Sequence, residues 1–84
     1  MNQTLADEDR MYVLTEPKDS DRNISCFKSG RQIWQIEAAP KIHARNYFTS
    51  VYMRDNDLYA YCINGIEVLV SKDSGKFLKT ELIK

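Results

Sequence analysis

The side chains in this 84-residue chain that could do chemistry are few and scattered. His43 is the only histidine, and no strand or turn pattern places a serine or cysteine beside it. Asp55 and Asp57 could serve acid–base catalysis, but they flank a turn, where aspartate is favoured in any case. Cys26 and Cys62 are too few for a disulfide framework or a metal cluster. We therefore expect no enzyme activity, no cofactor and no metal.

Composition and charge indicate one small globular domain. Hydrophobic residues make up 43% of the chain, and 12 Lys and Arg balance 12 Asp and Glu. The absence of a basic excess disfavours a general nucleic-acid binder. No stretch reaches the roughly 20 apolar residues of a membrane span, and the polar, acidic N-terminus is unlike a signal peptide. We expect a cytoplasmic protein with a flexible lead at 1–10 and a single domain at 11–84.

The elements that must position any functional residue are predicted to be strands. From Met11 onward, short apolar runs alternate with turn signals, which is typical of an antiparallel meander. The fold class is therefore all-β, with the meander curled into a half-barrel or small sandwich of about seven strands. One helical turn is possible within residues 39–47. The predicted strands lie near 11–15, 24–27, 31–38, 48–54, 58–63, 66–71 and 77–83.

Four turns predict the register of these strands. Asn64-Gly65 favours a two-residue type I′ turn, and 28–30, 55–57 and 73–75 fit three-residue loops. The three glycines all fall at these turns, so none indicates a phosphate-binding loop. In the second half, the turns together predict one apolar face: Val51, Met53, Tyr59, Tyr61, Ile63, Ile66, Val68, Val70, Leu78 and Leu82.

The same reasoning applied to the first half pairs Ile24 with Trp34, which we expect to anchor the core there. The predicted register directs the Cys26 side chain toward the core and the Cys62 side chain to the opposite face of its own strand. It also places Glu67 opposite Glu81, a mildly unfavourable pair of like charges that invites a cationic partner.

The opposite face of the second half mixes aromatic, apolar and charged residues, as protein–protein interfaces do. A sheet that curls could instead cover this face with the N-terminal strands, and both interpretations are open. The predicted partner-binding residues are Tyr52, Arg54, Asp55, Asp57, Leu58, Glu67, Leu69, Phe77, Lys79 and Glu81.

Two resemblances to known families are visible in short motifs. The runs Asp57-Leu58-Tyr59-Ala60-Tyr61 and Asp73-Ser74-Gly75-Lys76, with Gly30-Arg31-Gln32-Ile33-Trp34, resemble the blade repeat of quinoprotein-type β-propellers. A propeller needs at least about four blades and this chain could form two at most, so no central cofactor site is implied.

The layout of residues 23–27, 33–36, 58–61 and 74–76 is similar to small immunity proteins of bacterial polymorphic toxin and contact-dependent growth inhibition systems. That resemblance implies a protein that binds and neutralises the toxin domain, often a nuclease, encoded by a neighbouring gene. Acidic side chains would then complement a basic substrate cleft. The candidate acids are Glu37, Asp55, Asp57, Glu67 and Glu81.

The alternative function is a small nucleic-acid-binding β domain that stacks bases on exposed aromatics. The predicted register leaves only Tyr52 and Phe77 exposed for stacking, which weakens this alternative. A free edge strand could also pair with a copy of itself, so we expect a monomer or a weak dimer.

Overall fold

The computed structural model describes residues 2–17, 21–39 and 46–83, which form two antiparallel four-stranded sheets in sequence order. This confirms the all-β fold class and is consistent with a small sandwich. The described residues contain no helix long and apolar enough to span a membrane. Of the residues 39–47 within which a helical turn was predicted, 40–45 lie outside the described ranges, and His43 is among them. The strands are β1 (Gln3–Asp7), β2 (Arg10–Leu14), β3 (Ile24–Lys28), β4 (Arg31–Gln35), β5 (Phe48–Arg54), β6 (Asp57–Cys62), β7 (Ile66–Val70) and β8 (Phe77–Leu82).

Strand β1 corrects the expectation of a flexible lead over residues 1–10. It pairs with β2 along its whole length, from Gln3 opposite Leu14 to Asp7 opposite Arg10. Its alternate residues are half-buried, but of these only Leu5 is apolar. The period-two hydrophobic pattern that marks a strand is therefore missing from the sequence. β1 brings the number of strands in the described ranges to eight.

The core lies between the two sheets, and Trp34 anchors its first half as predicted. Ser29 and Gly30 both have positive φ angles, 53° and 78°, so they form a two-residue hairpin turn where three residues were expected. This turn and a bulge between Cys26 and Phe27 together place Trp34 opposite Cys26 and not opposite Ile24. Full burial of each large apolar side chain contributes roughly 1.5–3 kcal/mol. The largest fully buried side chains are Tyr12, Phe48, Leu14, Ile24, Ile36, Leu58, Val51, Val68, Cys26 and Cys62.

Strand β6 is turned over relative to the predicted register. The turn before it has two central residues, Asp55 and Asn56, where three were expected, and both have positive φ angles. The turn after it has three residues where two were expected, and it is closed by the bond from Gly65 N to Cys62 O. The two differences cancel beyond β6, so the register of β7 on β5 is unchanged. A one-residue slip moves every side chain of a strand to the other face.

The inverted strand corrects several of the predicted orientations. Leu58 and Cys62 are buried in the core, not on the opposite face. Tyr59 and Tyr61 lie on the outer face of the second sheet, and Ile63 is exposed in the turn.

Strand β8 has the predicted pairing for most of its length but not the predicted burial. Ile66 lies opposite Leu82, and Glu67 lies opposite Glu81, as expected. A bulge then shifts the register and places Phe77 opposite Val70. Leu82 was predicted to be core but is 62% exposed. The reason is that the strands of the first sheet pack closest to β5, at the far edge of the second sheet, so β8 packs against the core at Phe77 and not at Leu82.

Candidate functional site

The outer face of the second sheet brings together most of the predicted partner-binding residues. Cross-strand pairing forms one row from Tyr52 through Tyr59 and Leu69, and a neighbouring row through Tyr61 and Glu67. Strand β8 adds one charge to the end of each row. We define the outer face by its side chains from all four strands: Ser50, Tyr52, Arg54, Asp57, Tyr59, Tyr61, Glu67, Leu69, Lys79 and Glu81.

Four side chains at the centre of the outer face form a connected cluster. The rings of Tyr52 and Tyr59 are stacked, with centroids 5.9 Å apart and an interplanar angle of 13°. The Arg54 guanidinium lies over the Tyr59 ring, 4.2 Å from its centroid, and forms an ion pair of 3.2 Å with Glu67. The Tyr52 hydroxyl donates a hydrogen bond to the other carboxylate oxygen of Glu67. We refer to Tyr52, Arg54, Tyr59 and Glu67 as the Tyr–Arg–Glu cluster.

The register explains why this cluster forms. Tyr52 lies directly opposite Tyr59 on the neighbouring strand, a position from which aromatic rings can stack across a sheet. Arg54 follows Tyr52 by two residues and so lies on the same face. Glu67 is one strand farther away, on β7, opposite Tyr61. The long side chains of Arg54 and Tyr52 both extend across β6 to reach it.

Electrostatics hold the cluster in one charge state near neutral pH. The hydrogen bond from Tyr52 and the ion pair with Arg54 lower the pKa of Glu67, although its burial opposes this. Burial, followed by the bond to the Glu67 carboxylate, raises the pKa of Tyr52. Hydrogen bonding to Tyr59 and Glu67 raises the pKa of Arg54. Within the cluster, Glu67 is therefore held as a carboxylate, Arg54 as a guanidinium and Tyr52 as a neutral phenol.

Seven of the ten predicted site residues lie on the outer face, and the other three do not. Leu58 is in the core at 1% exposure, so it cannot contact a partner. Phe77 is half-buried against the core, with its ring edge-on to Phe48. Asp55 is exposed in the β5–β6 turn at the rim of the face. The candidate acid Glu37 lies elsewhere, where its carboxylate accepts a hydrogen bond from Phe77 N.

Sequence reasoning missed Tyr59 and Tyr61 as site residues because it placed both in the core. Tyrosine is amphipathic and gives no firm signal of burial on its own. The available signal was the Asp55-Asn56 pair, since both residue types tolerate positive φ and so permit a two-residue turn. That turn would have placed Leu58, Ala60 and Cys62 inside.

The side chains of the outer face are of the kinds that contact partner molecules. It offers three tyrosine rings, the apolar side chain of Leu69 and a rim of charges. Four carboxylates, counting Asp55 at the rim, face two cations, Arg54 and Lys79, so the face has an excess of two negative charges. In the described ranges, no group of three or more His, Cys, Asp or Glu side chains is placed to hold a metal ion.

A shallow pocket of about 270 Å³ lies elsewhere, between the end of β4 and the β7–β8 turn. Arg22 donates hydrogen bonds to the carbonyls of Gln35 and Ile36, and Glu37 accepts one from Phe77 N. The bond from Phe77 N to Glu37 joins the two sheets here, so we regard the pocket as part of the fold and the outer face as the better candidate site.

Comparison with known proteins gives a family but no function. None of the curated proteins compared with the chain matches it. Residues 5–82 match the family described as a domain of unknown function, DUF7957, which spans all eight strands apart from the first two residues of β1. The chain therefore belongs to the DUF7957 family.

Proposed function

We propose that this protein is a cytoplasmic immunity protein that binds and neutralises a bacterial toxin domain through the outer face of its second sheet. The observation that carries the proposal is the Tyr–Arg–Glu cluster at the centre of that face. Tyrosine and arginine are enriched at the energetic centres of protein interfaces. Here both are held in fixed positions by stacking and by Glu67. Side chains that are already ordered lose little entropy on binding.

The charge of the outer face supports a basic partner. Its excess of two negative charges would complement the cationic cleft with which a nuclease toxin binds nucleic acid. The toxin class comes from the resemblance to immunity proteins, whereas the geometry supports the choice of the outer face as the proposed binding surface. Neutralisation here requires only binding, so the proposal includes neither catalysis nor a cofactor.

The position of the tyrosines also favours nucleic-acid binding as a second candidate function. Tyr59 and Tyr61 lie on the surface beside Tyr52, and three aromatic rings on one sheet can stack bases. Against this, Glu67 and Glu81 lie directly opposite each other on the same face and would repel a phosphate backbone. Protein binding therefore accounts better for the charges.

Co-expression tests the proposal. The toxin-like domain encoded beside this gene is expressed with the wild-type chain, and cell growth and co-purification are measured. Leu69→Lys places a charge in the centre of the outer face at a half-exposed position and should abolish both protection and co-purification. Ile33→Lys is the matched control, because Ile33 is 40% exposed on the first sheet, and it should protect as the wild type does.

Two results would contradict the proposal. One is a neighbouring domain that is harmless without this chain. The other is a folded Leu69→Lys variant that still protects cells and co-purifies. Binding of single-stranded DNA that weakens with salt and is lost in Arg54→Glu would favour the nucleic-acid alternative.

A further inference from the structure

Strand β8 forms one edge of the second sheet, and apart from Phe77 N, which Glu37 caps, its outward backbone groups are uncovered. The backbone N–H of Ile83 bonds to Gly65 O, on the side of β7. In an antiparallel strand, alternate residues direct both backbone groups to the same side. Glu81 therefore also faces β7, whereas Thr80 and Leu82 direct their N–H and C=O groups outward. In the described ranges, no side chain hydrogen-bonds to the backbone of residues 79–82.

At the other edge of the same sheet, side-chain amides form hydrogen bonds with outward backbone groups of β5. The side-chain amide of Gln3 bonds to both N and O of Val51 on β5, at 3.2 and 2.8 Å. The side-chain amide of Asn23 bonds to both N and O of Phe48, at 2.9 and 2.8 Å. Each amide takes the place of a neighbouring peptide group. Edge strands are commonly protected against pairing with other chains, and β5 is protected in this way whereas residues 79–82 of β8 are not.

The side chains of β8 are complementary to a second copy of the same strand. If two copies run antiparallel with Thr80 opposite Thr80, then Lys79 lies opposite the second copy's Glu81. By symmetry, Glu81 lies opposite the second copy's Lys79, so both cross-strand pairs join opposite charges. The same register places Leu78 opposite the second copy's Leu82, and these side chains are 66% and 62% exposed in the single chain.

The hydrogen-bonding pattern selects the same register. Because Thr80 directs its N–H and C=O outward, two copies of Thr80 can exchange both hydrogen bonds across a twofold axis. Lys79 and Glu81 then form the pairs without hydrogen bonds, in which the facing side chains come closest. A single register therefore pairs the outward backbone groups, the opposite charges and the exposed leucines of the two copies.

We propose that this protein forms a symmetric dimer through antiparallel pairing of β8 with β8 of a second copy, centred on Thr80. The two second sheets become one continuous eight-stranded sheet, with both outer faces on the same side. The inference does not depend on the proposed function, although a dimer would present two copies of the partner-binding face. One strand pair buries little apolar area, so the dimer is weak and forms at high protein concentration.

Sedimentation velocity at protein concentrations up to millimolar measures the dimer Kd, and charge-reversal variants test the cross-strand pairs. Lys79→Glu alone makes both cross-strand pairs acidic, and Glu81→Lys alone makes both basic. Each should raise the dimer Kd at least about tenfold. The double variant Lys79→Glu/Glu81→Lys restores opposite charges and should dimerise as the wild type does. A mixture of the two single variants should form a heterodimer, because one strand then carries two carboxylates and the other two ammonium groups.

Thr80→Pro tests the backbone contribution separately. Proline removes the outward N–H of Thr80 and is tolerated on an edge strand where that N–H faces solvent. The variant should be monomeric at all concentrations, with a circular dichroism spectrum and an unfolding midpoint close to those of the wild type.

Three results would overturn the inference. The first is a wild type that stays monomeric at millimolar concentration. The second is a dimer whose Kd is the same in Lys79→Glu, Glu81→Lys and Thr80→Pro, since it would use another surface. The third is a mixture of the two single variants that remains monomeric while the wild type dimerises.

Discussion

Glu67 is the residue on which the Tyr–Arg–Glu cluster depends. It is 8% exposed although it lies on the outer face, because neighbouring side chains cover it. Its carboxylate accepts a hydrogen bond from the Tyr52 hydroxyl and forms an ion pair with Arg54. The Arg54 side chain is half-exposed, so solvent screens this ion pair. A buried carboxylate is tolerated when such partners compensate for its desolvation. Glu67 therefore links binding-site geometry to stability.

We predict that Glu67→Gln lowers the free energy of unfolding by about 1–2 kcal/mol near neutral pH, since hydrogen bonds to a charged acceptor are the stronger ones. The pKa of Glu67 is lowered in the folded state. Its contribution is therefore complete above the unfolded-state pKa, about 4.3, and is lost as the pH falls through the lowered folded-state pKa. Urea unfolding from pH 7 to acid should show wild type and variant converging. A difference that stays constant with pH would contradict the role of the charge.

Gly75 illustrates a residue whose small size is required by a neighbour. A Cβ at this position would lie 2.5 Å from Cε3 of Trp34, and the φ angle is +77°. We predict that Gly75→Ala destabilises the protein by about 3 kcal/mol or more through combined strain and overpacking. Gly30→Ala is the matched control, because Gly30 has a φ angle of +78° with no atom near the added Cβ. It should cost about 1 kcal/mol in the same urea titration. Equal losses for the two variants would show that contact with Trp34 is unimportant.

At the scale of the element, the β5 edge is completed by side-chain amides. Asn23 is buried and joins the loop after β2 to β5, with further donation to Thr15 O. We predict that Asn23→Ala lowers the free energy of unfolding by about 2–4 kcal/mol, because Phe48 N and O lose their partners inside the protein. Gln3→Ala, at a half-buried position, should cost about 1 kcal/mol. Thermal or urea unfolding of both variants checks the order, and a larger loss for Gln3→Ala would contradict it.

The elements also show how far the sequence determines the fold. Seven strands were predicted within a few residues, because turn-forming residues separate them clearly. The inward direction of Val51, Ile66, Val68 and Val70 was also predicted, as β5 and β7 keep their relative register. Strand β1 was missed because its inward residues include only one apolar side chain.

The length of the turn after β6 could not be predicted from local turn chemistry. Asn64-Gly65 favours a two-residue turn, but Asn64 is buried and donates to Asn46 Oδ1 at 2.9 Å while accepting from Ile66 N. These contacts, one of them spanning 18 residues, favour the longer turn. Tertiary contacts of a buried polar side chain thus decided a register that turn preferences alone assigned wrongly. The error moved Tyr59 into the predicted core, so the centre of the candidate site was only partly predicted.

At the scale of the whole molecule, polar contacts join the two sheets at one end of the shared core. Asp7 on β1 pairs with Lys72 in the β7–β8 turn at 3.1 Å, and Trp34 Nε1 donates to Lys72 O at 2.7 Å. Burial would raise the pKa of Asp7, but bonds from Lys72 and Tyr12 lower it. Arg10 adds an ion pair with the same turn. The sheets therefore share both an apolar core and a charged junction.

These shared contacts predict that neither sheet opens without the other, and the two cysteines can report on this. Cys26 lies in the first sheet and Cys62 in the second; both are free and fully buried, and burial raises the pKa of each thiol. Because a thiol reacts as the thiolate, each should be alkylated only when its sheet opens. We expect iodoacetamide labelling, resolved by peptide mass spectrometry, to give the same free energy of opening at both cysteines, equal to that of global unfolding by urea.

Asp7→Asn should lower both values together by weakening the junction. Faster labelling at Cys26 than at Cys62 would instead mean that the first sheet, held by its contacts to β5 and the β7–β8 turn, detaches before the second unfolds.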